Sequence, residues 1–367
     1  MPDPRYETWA KALAGYSVEV KPGQTVAISG GVAGEPLLRA VYREVLDRGG
    51  LPVLMPSFPD LSADLFGLGS DEQLGYLSPV ERFFREEADV TIFILAETNT
   101  KSLSGVDPAR QTVYQRARTD LFRRYMERSA SGELDWTITL FPTDAYAQDA
   151  DMGTGEFAEF VHHACKLHTP DPVAAWKAVA AEQQRLIDWL DGKRELRITA
   201  PDVDLTVSVA GRTWINADGR KNFPDGEIFT GPVEDSATGR IRFSYPVIAG
   251  GREVEDIRLR FEQGKVVEAS AAKNEDYLVQ QLDTDAGAGF IGEFAFGTNF
   301  DVTRFTRNIL FDEKIGGTIH LALGAGYPET GSTNQSAVHW DMICDLRQGG
   351  RVEVDGEPFL VEGNYVV

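Results

Sequence analysis

The chain has 367 residues, of which 42% are hydrophobic and 10% aromatic, enough apolar material for one or two well-formed cores and unlike a disordered chain. Its formal charge of −21 opposes binding to nucleic acid or to an anionic membrane, and mildly favours substrates that carry a free ammonium. No apolar run has the length of a membrane span, the start Met1-Pro2-Asp3-Pro4-Arg5-Tyr6-Glu7 lacks a signal peptide's apolar core, and Cys165 and Cys344 have no CxxC spacing, so a reduced, cytoplasmic protein is expected.

Strand and helix signals alternate through the first half. Short apolar runs at Thr25–Ser29, Leu51–Met55, Val90–Leu95 and Trp136–Phe141 read as strands. Between them, Leu37, Leu38, Val41, Val45 and Leu46 recur at helical spacing within Pro36–Arg48, and a second helix is predicted over Thr112–Arg128. Such alternation predicts a parallel sheet with helices on its faces. The first strand-to-helix junction, Ser29-Gly30-Gly31-Val32-Ala33-Gly34-Glu35-Pro36, is glycine-rich but matches neither GxGxxG nor a GKS/GKT loop. Glu35 at the helix start would repel an anion, so a tight turn is the reading taken.

Helical patterns over Gly155–Lys166 and Pro172–Asp191 close this half, and Asp191-Gly192-Lys193 reads as a helix end. His162, His163 and His168 flank Cys165, but no fourth ligand lies nearby, so surface or interface histidines are expected there. Beyond residue 192, Leu196–Thr199, Leu205–Val209 and Ile257–Phe261 alternate with the two-residue period of strands. The expected organisation is therefore an α/β domain over 1–192, with a parallel sheet and flanking helices. A β-rich (α+β, barrel-like) metal-binding domain is expected over 193–367.

The second half also holds the residues that carry chemistry. Glu227 opens a short apolar strand between two Gly/Pro corners, and Glu293 stands alone among aromatics in Phe290–Phe296. A carboxylate in such a setting must be paired, protonated or coordinated; a buried salt bridge or an edge strand facing water are the plainer alternatives. His320 lies in a strand pattern whose Ile319, Leu321 and Leu323 share the opposite face. His339 and Asp341 are two residues apart, so in a strand both point to one face while Trp340 and Met342 point to the other. Each histidine alone would more often be a satisfied structural residue; together with Asp341 the two can make a metal set, and a nearby phenol, Tyr327, suits a hydrolysed carbonyl.

Four segments carry a family resemblance: Gly226–Thr230, Ile291–Ala295, His320–Tyr327 and Asn334–Asp341. Together they resemble the thermophilic-type metallo-aminopeptidases, the group that includes aminopeptidases S and T. The resemblance implies a centre of two divalent metal ions per chain, zinc, cobalt, manganese or magnesium. It implies Glu227, Glu293, His320, His339 and Asp341 as ligands, Glu313 as a further acidic position, and Tyr327 as the catalytic tyrosine. Glu293 or Glu227 would bridge the ions, with Glu293 also counted as catalytic. Peptides with a free N-terminus would be the substrates and a homodimer the assembly. The competing reading is a mononuclear Fe(II) ring-cleaving dioxygenase of the dihydroxypyridine type, using only His320, His339 and Asp341. Such an enzyme has no need of Glu227 and Glu293, which favours the hydrolase.

Overall fold

The apolar runs of the first half pair side by side, because each is too short to bury itself and too apolar to stay in water. In the computed structural model, which describes residues 3–249 and 252–367, they form a parallel five-stranded sheet. Its order is Leu51–Ser57, Thr25–Gly31, Val90–Leu95, Asp135–Leu140 and Asn222–Phe223. The last of these is only two residues long and returns from much later in the chain, which no periodicity announced. The predicted helices are observed as Glu35–Asp47 and Pro108–Ser131. The longer helix starts where the Asp107 side chain accepts a hydrogen bond from Ala109 N and stops at Gly132, which takes a left-handed φ of 75°.

The glycine-rich junction is a tight turn, as expected. A Cβ at Gly30 would lie 2.5 Å from the Ile94 carbonyl oxygen, so the glycine serves close strand packing. His162 departs from the expectation of a surface or interface histidine. It is buried on helix Thr154–Ala164, with its ring 5.8 Å from Trp9 and 6.4 Å from Tyr6.

The chain divides into two units, Met1–Ala175 with Gly219–Pro224, and Trp176–Asp218 with Asp225–Val367. The division falls inside helix Pro172–Leu190, ahead of the expected position at 192, because the end of that helix packs into the second core through Leu186 and Leu190.

In the second unit an eight-stranded sheet and a five-stranded sheet share one hydrophobic core. Leu196, Ile198, Leu205, Val207, Leu259 and Phe261 come from the larger sheet. Ile228, Phe294, Phe296, Ile319, Leu321, Leu323, Trp340 and Met342 come from the smaller one. With a period of two, committing these residues to the core leaves their alternates on the other face of the smaller sheet.

Candidate metal centre

The alternates are Glu227, Phe229, Glu293, Ala295, His320, Ala322, His339 and Asp341. The sheet order is His339–Asp345, Thr318–Gly324, Ile291–Gly297, Glu227–Thr230 and Ile215–Ala217, all antiparallel. Its register sets Glu293 opposite Ala322 and Ala322 opposite Asp341, and in the next row sets Phe229, Ala295 and His320 abreast. The alanines leave room between the functional side chains. A bulge between Ile291 and Glu293 interrupts the ladder directly before the glutamate, a device that re-aims a side chain. Glu227 sits on an inner strand, so the edge-strand alternative does not apply.

The polar atoms converge. His320 Nε2 is 3.4 Å from both Glu227 Oε2 and Glu293 Oε1, and His339 Nε2 is 3.4 Å from Glu293 Oε2 and 3.6 Å from Asp341 Oδ1. Donor atoms of three overlapping sets lie within 4.8 Å of one another: Glu227, Glu293 and His320; Glu293, His339 and Asp341; Glu313, His320 and Asp341. Two donors each about 2.1 Å from a tetrahedral ion are about 3.4 Å apart, so these spacings allow the side chains to share an ion. Two further observations fit a metal. Glu227 Oε2 is buried with no hydrogen-bond partner among the described residues. His339 Nδ1 lies 2.9 Å from the Ala325 carbonyl, a contact that makes Nδ1 the donor and leaves Nε2 free to ligate.

Two members of the cluster had not been singled out. The Lys314 ammonium, fully buried, is 2.5 Å from Glu227 Oε1, 2.6 Å from Glu313 Oε1 and 3.5 Å from Asp225 Oδ1. A lysine directly after Asp312 and Glu313 and before the strand of His320, and an aspartate two residues before Glu227, were the available signals. Burial would lower the Lys314 pKa, but Glu227, Glu313 and Asp225 outweigh it and hold the group well above its usual range.

Buried close together, the carboxylates compete for protons. Burial pushes Glu227 up, with Glu313 and Glu293 adding to it against Lys314. Burial likewise pushes Asp341 up. Burial would also raise Glu293, but its contacts with His320 and His339 reverse the sign and hold it low. Burial opposes charge on the two histidines as well; Glu293 overcomes it, raising His320 to about 9 and His339 to about 10.

Tyr327 follows the His320 strand, its ring 5.2 Å from His339 and 5.3 Å from Phe229. Burial and then the nearby carboxylates push its phenol far up, so it stays protonated and can only donate to an anion. The opening of the cluster lies at His339, whose side chain is 30% exposed where that of His320 is 1%.

Fold and donor set together define a metalloprotein with a carboxylate-rich centre on one face of a sheet. The chain belongs to the thermophilic metalloprotease (M29) family, which it matches over residues 3–365. Aminopeptidase 2 of Geobacillus stearothermophilus is 26% identical to it, with 97% of this chain and 98% of the relative covered. The solved structure of wild-type AmpT from Thermus thermophilus matches with a TM-score of 0.86 at 25% identity, covering 99% of both chains. A 2,5-dihydroxypyridine dioxygenase from Pseudomonas putida shares the fold at a TM-score of 0.61 and 15% identity, covering 99% of this chain and 97% of that one.

Proposed function

We propose that the chain is a metal-dependent aminopeptidase that releases residues from the free N-terminus of peptides. The ligands would be Glu227, Glu293, Glu313, His320, His339 and Asp341, holding two divalent ions. The observation that carries this reading is Glu293, whose two oxygens face different histidines and so belong to two donor sets at once. The family and the aminopeptidase relative support the same activity. When bound, a pair of ions polarises the scissile carbonyl and brings the pKa of a shared water to about 7.

The chain's own side chains supply the rest. Tyr327 donates its hydroxyl proton in a hydrogen bond to the oxyanion that develops on the carbonyl. The peptide's free amine would ligate one ion or meet a carboxylate, which would favour cleavage at the N-terminus. Phe229, packed against Tyr327, gives the site an apolar wall. Zinc, cobalt, manganese and magnesium all suit such donors. Action as a cytoplasmic homodimer completes the reading; the two buried cysteines, Cys165 and Cys344, form no disulfide among the described residues, in keeping with a reducing compartment.

The dioxygenase reading has in its favour the shared fold and the presence of His320, His339 and Asp341. It leaves unexplained why Glu293 sits 3.4 Å from both histidines and why Glu227 Oε2 is aimed at His320. Metal stoichiometry, combined with hydrolysis of a leucyl anilide and its N-acetyl analogue, separates the two. Two ions per chain and cleavage of the free amine alone are expected. One iron per chain, no hydrolysis, and oxygen uptake with a dihydroxypyridine would overturn the aminopeptidase.

A further inference from the structure

Lys314 has no place among the metal ligands, yet it sits in the middle of them. It follows helix Ile309–Asp312 and Glu313, and its backbone is pinned: Asn299 N donates to the Lys314 carbonyl at 3.0 Å and Gly316 N donates to the Asn299 carbonyl at 3.1 Å. The helix end is fixed in turn by Asp312, whose Oδ1 accepts from Thr306 N at 2.7 Å and from Thr306 Oγ1 at 2.8 Å. The ammonium is therefore delivered by rigid backbone to one point in the cluster. A buried ammonium is tolerated only when its charge is paired and its protons are used, and here it meets Glu227, Glu313 and Asp225.

Two consequences follow for the glutamates. Lys314 occupies one oxygen of Glu227 and leaves Oε2, without a hydrogen-bond partner among the described residues, 3.4 Å from His320 Nε2. It also forms an ion pair with Oε1 of Glu313 at 2.6 Å. The charges also balance. Glu227, Glu293, Glu313, Asp341 and Asp225 are five carboxylates, and one ammonium with two divalent ions neutralises them.

We propose that Lys314 is a positioning residue for the metal site: by holding Glu227 and Glu313 through one oxygen each, it limits both to single-oxygen coordination and so selects small divalent ions over calcium. The inference rests on the reading that both glutamates face the ions. Calcium takes six to eight oxygens and commonly draws both oxygens of a carboxylate, whereas smaller ions accept one oxygen from each.

The test is calorimetric titration of manganese and, separately, calcium into chelator-treated full-length protein, wild type and Lys314→Met. Wild type is expected to bind manganese at least about a hundredfold more tightly than calcium. In Lys314→Met the released oxygens allow two-oxygen coordination, and the manganese-to-calcium ratio is expected to narrow at least about tenfold. An unchanged ratio overturns the proposal, even if both affinities fall, because a purely structural lysine would weaken both ions alike. Lys314→Gln keeps a donor for one glutamate and should give an intermediate ratio. If neither variant folds in the presence of manganese, as judged by circular dichroism, Lys314 is a structural cation and the proposal fails. Absence of binding of either ion to wild type would instead overturn the metal-site reading, and this inference with it.

Discussion

Because Glu293 offers one oxygen to each of two histidines, replacing it removes a donor from both sides of the site, whereas replacing Tyr327 removes only a hydroxyl. Glu293→Gln keeps the shape but loses the charge that holds His320 and His339, so activity and bound metal should fall together. Tyr327→Phe keeps the ring contacts with Phe229 and His339 and loses the hydroxyl proposed to stabilise the oxyanion. Its kcat should fall by about 10²–10³ with metal content unchanged and KM shifted little, the effect expected of one lost oxyanion donor. Elemental analysis beside steady-state kinetics distinguishes the pair. A Tyr327→Phe protein with wild-type kcat would exclude the phenol from the reaction, and a metal-replete, active Glu293→Gln protein would remove Glu293 from the ligands.

At the scale of elements, helix Thr154–Ala164 packs His162 against Tyr6 and Trp9 of helix Arg5–Ala12. Burial lowers the His162 pKa to about 4, with Arg5 adding to it while Asp3 and Glu159 oppose, so the folded chain holds this ring neutral. The unfolded chain protonates it near 6.5. The stability it contributes is therefore complete above about pH 6.5 and is lost as pH falls toward 4, a loss of about 1–3 kcal/mol. His162→Phe should flatten that part of the acid limb in urea unfolding, and an unaltered slope would place the acid sensitivity elsewhere. This contact also marks a limit of the sequence. Histidine on a predicted helix face could be read, but its partner came from a helix over residues 5–12 that had not been anticipated. Strands and their faces were more legible, because a period of two fixes which side chains are companions, and His339 with Asp341 or Ile319 with Leu321 needed nothing else. The bulge before Glu293, the two-residue strand Asn222–Phe223 and the burial of Lys314 depend on distant segments, so no local pattern revealed them. The proposed ligand set was implied by the family resemblance of four segments; the buried lysine that contacts two of its members was not.

For the molecule as a whole, metal, protons and folding are one linked equilibrium. In chelated protein His320 and His339 titrate near 9 and 10, so both are imidazolium at pH 7. A ligating histidine must be neutral, and loading two ions at pH 7 should therefore expel about two protons per chain from the imidazoles and about one more from Glu227, which burial raises to about 8. The folded chelated chain binds the imidazole protons more tightly than the unfolded chain. Their stabilisation is accordingly full below about pH 6.5 and is lost as pH rises through 9 and 10. Loaded protein behaves oppositely, since losing the competing protons tightens the apparent metal affinity by about tenfold per proton for each pH unit below those values. Because ions that bind the folded state stabilise it in proportion to the logarithm of their affinity, the gap in Tm between loaded and chelated protein should widen from pH 6 to pH 9. Scanning calorimetry of both forms, with proton release followed by a dye in weak buffer, measures the two quantities independently. A pH-independent gap with no released protons would mean that His320 and His339 are not ligands, and that the carboxylates alone carry whatever metal the chain binds.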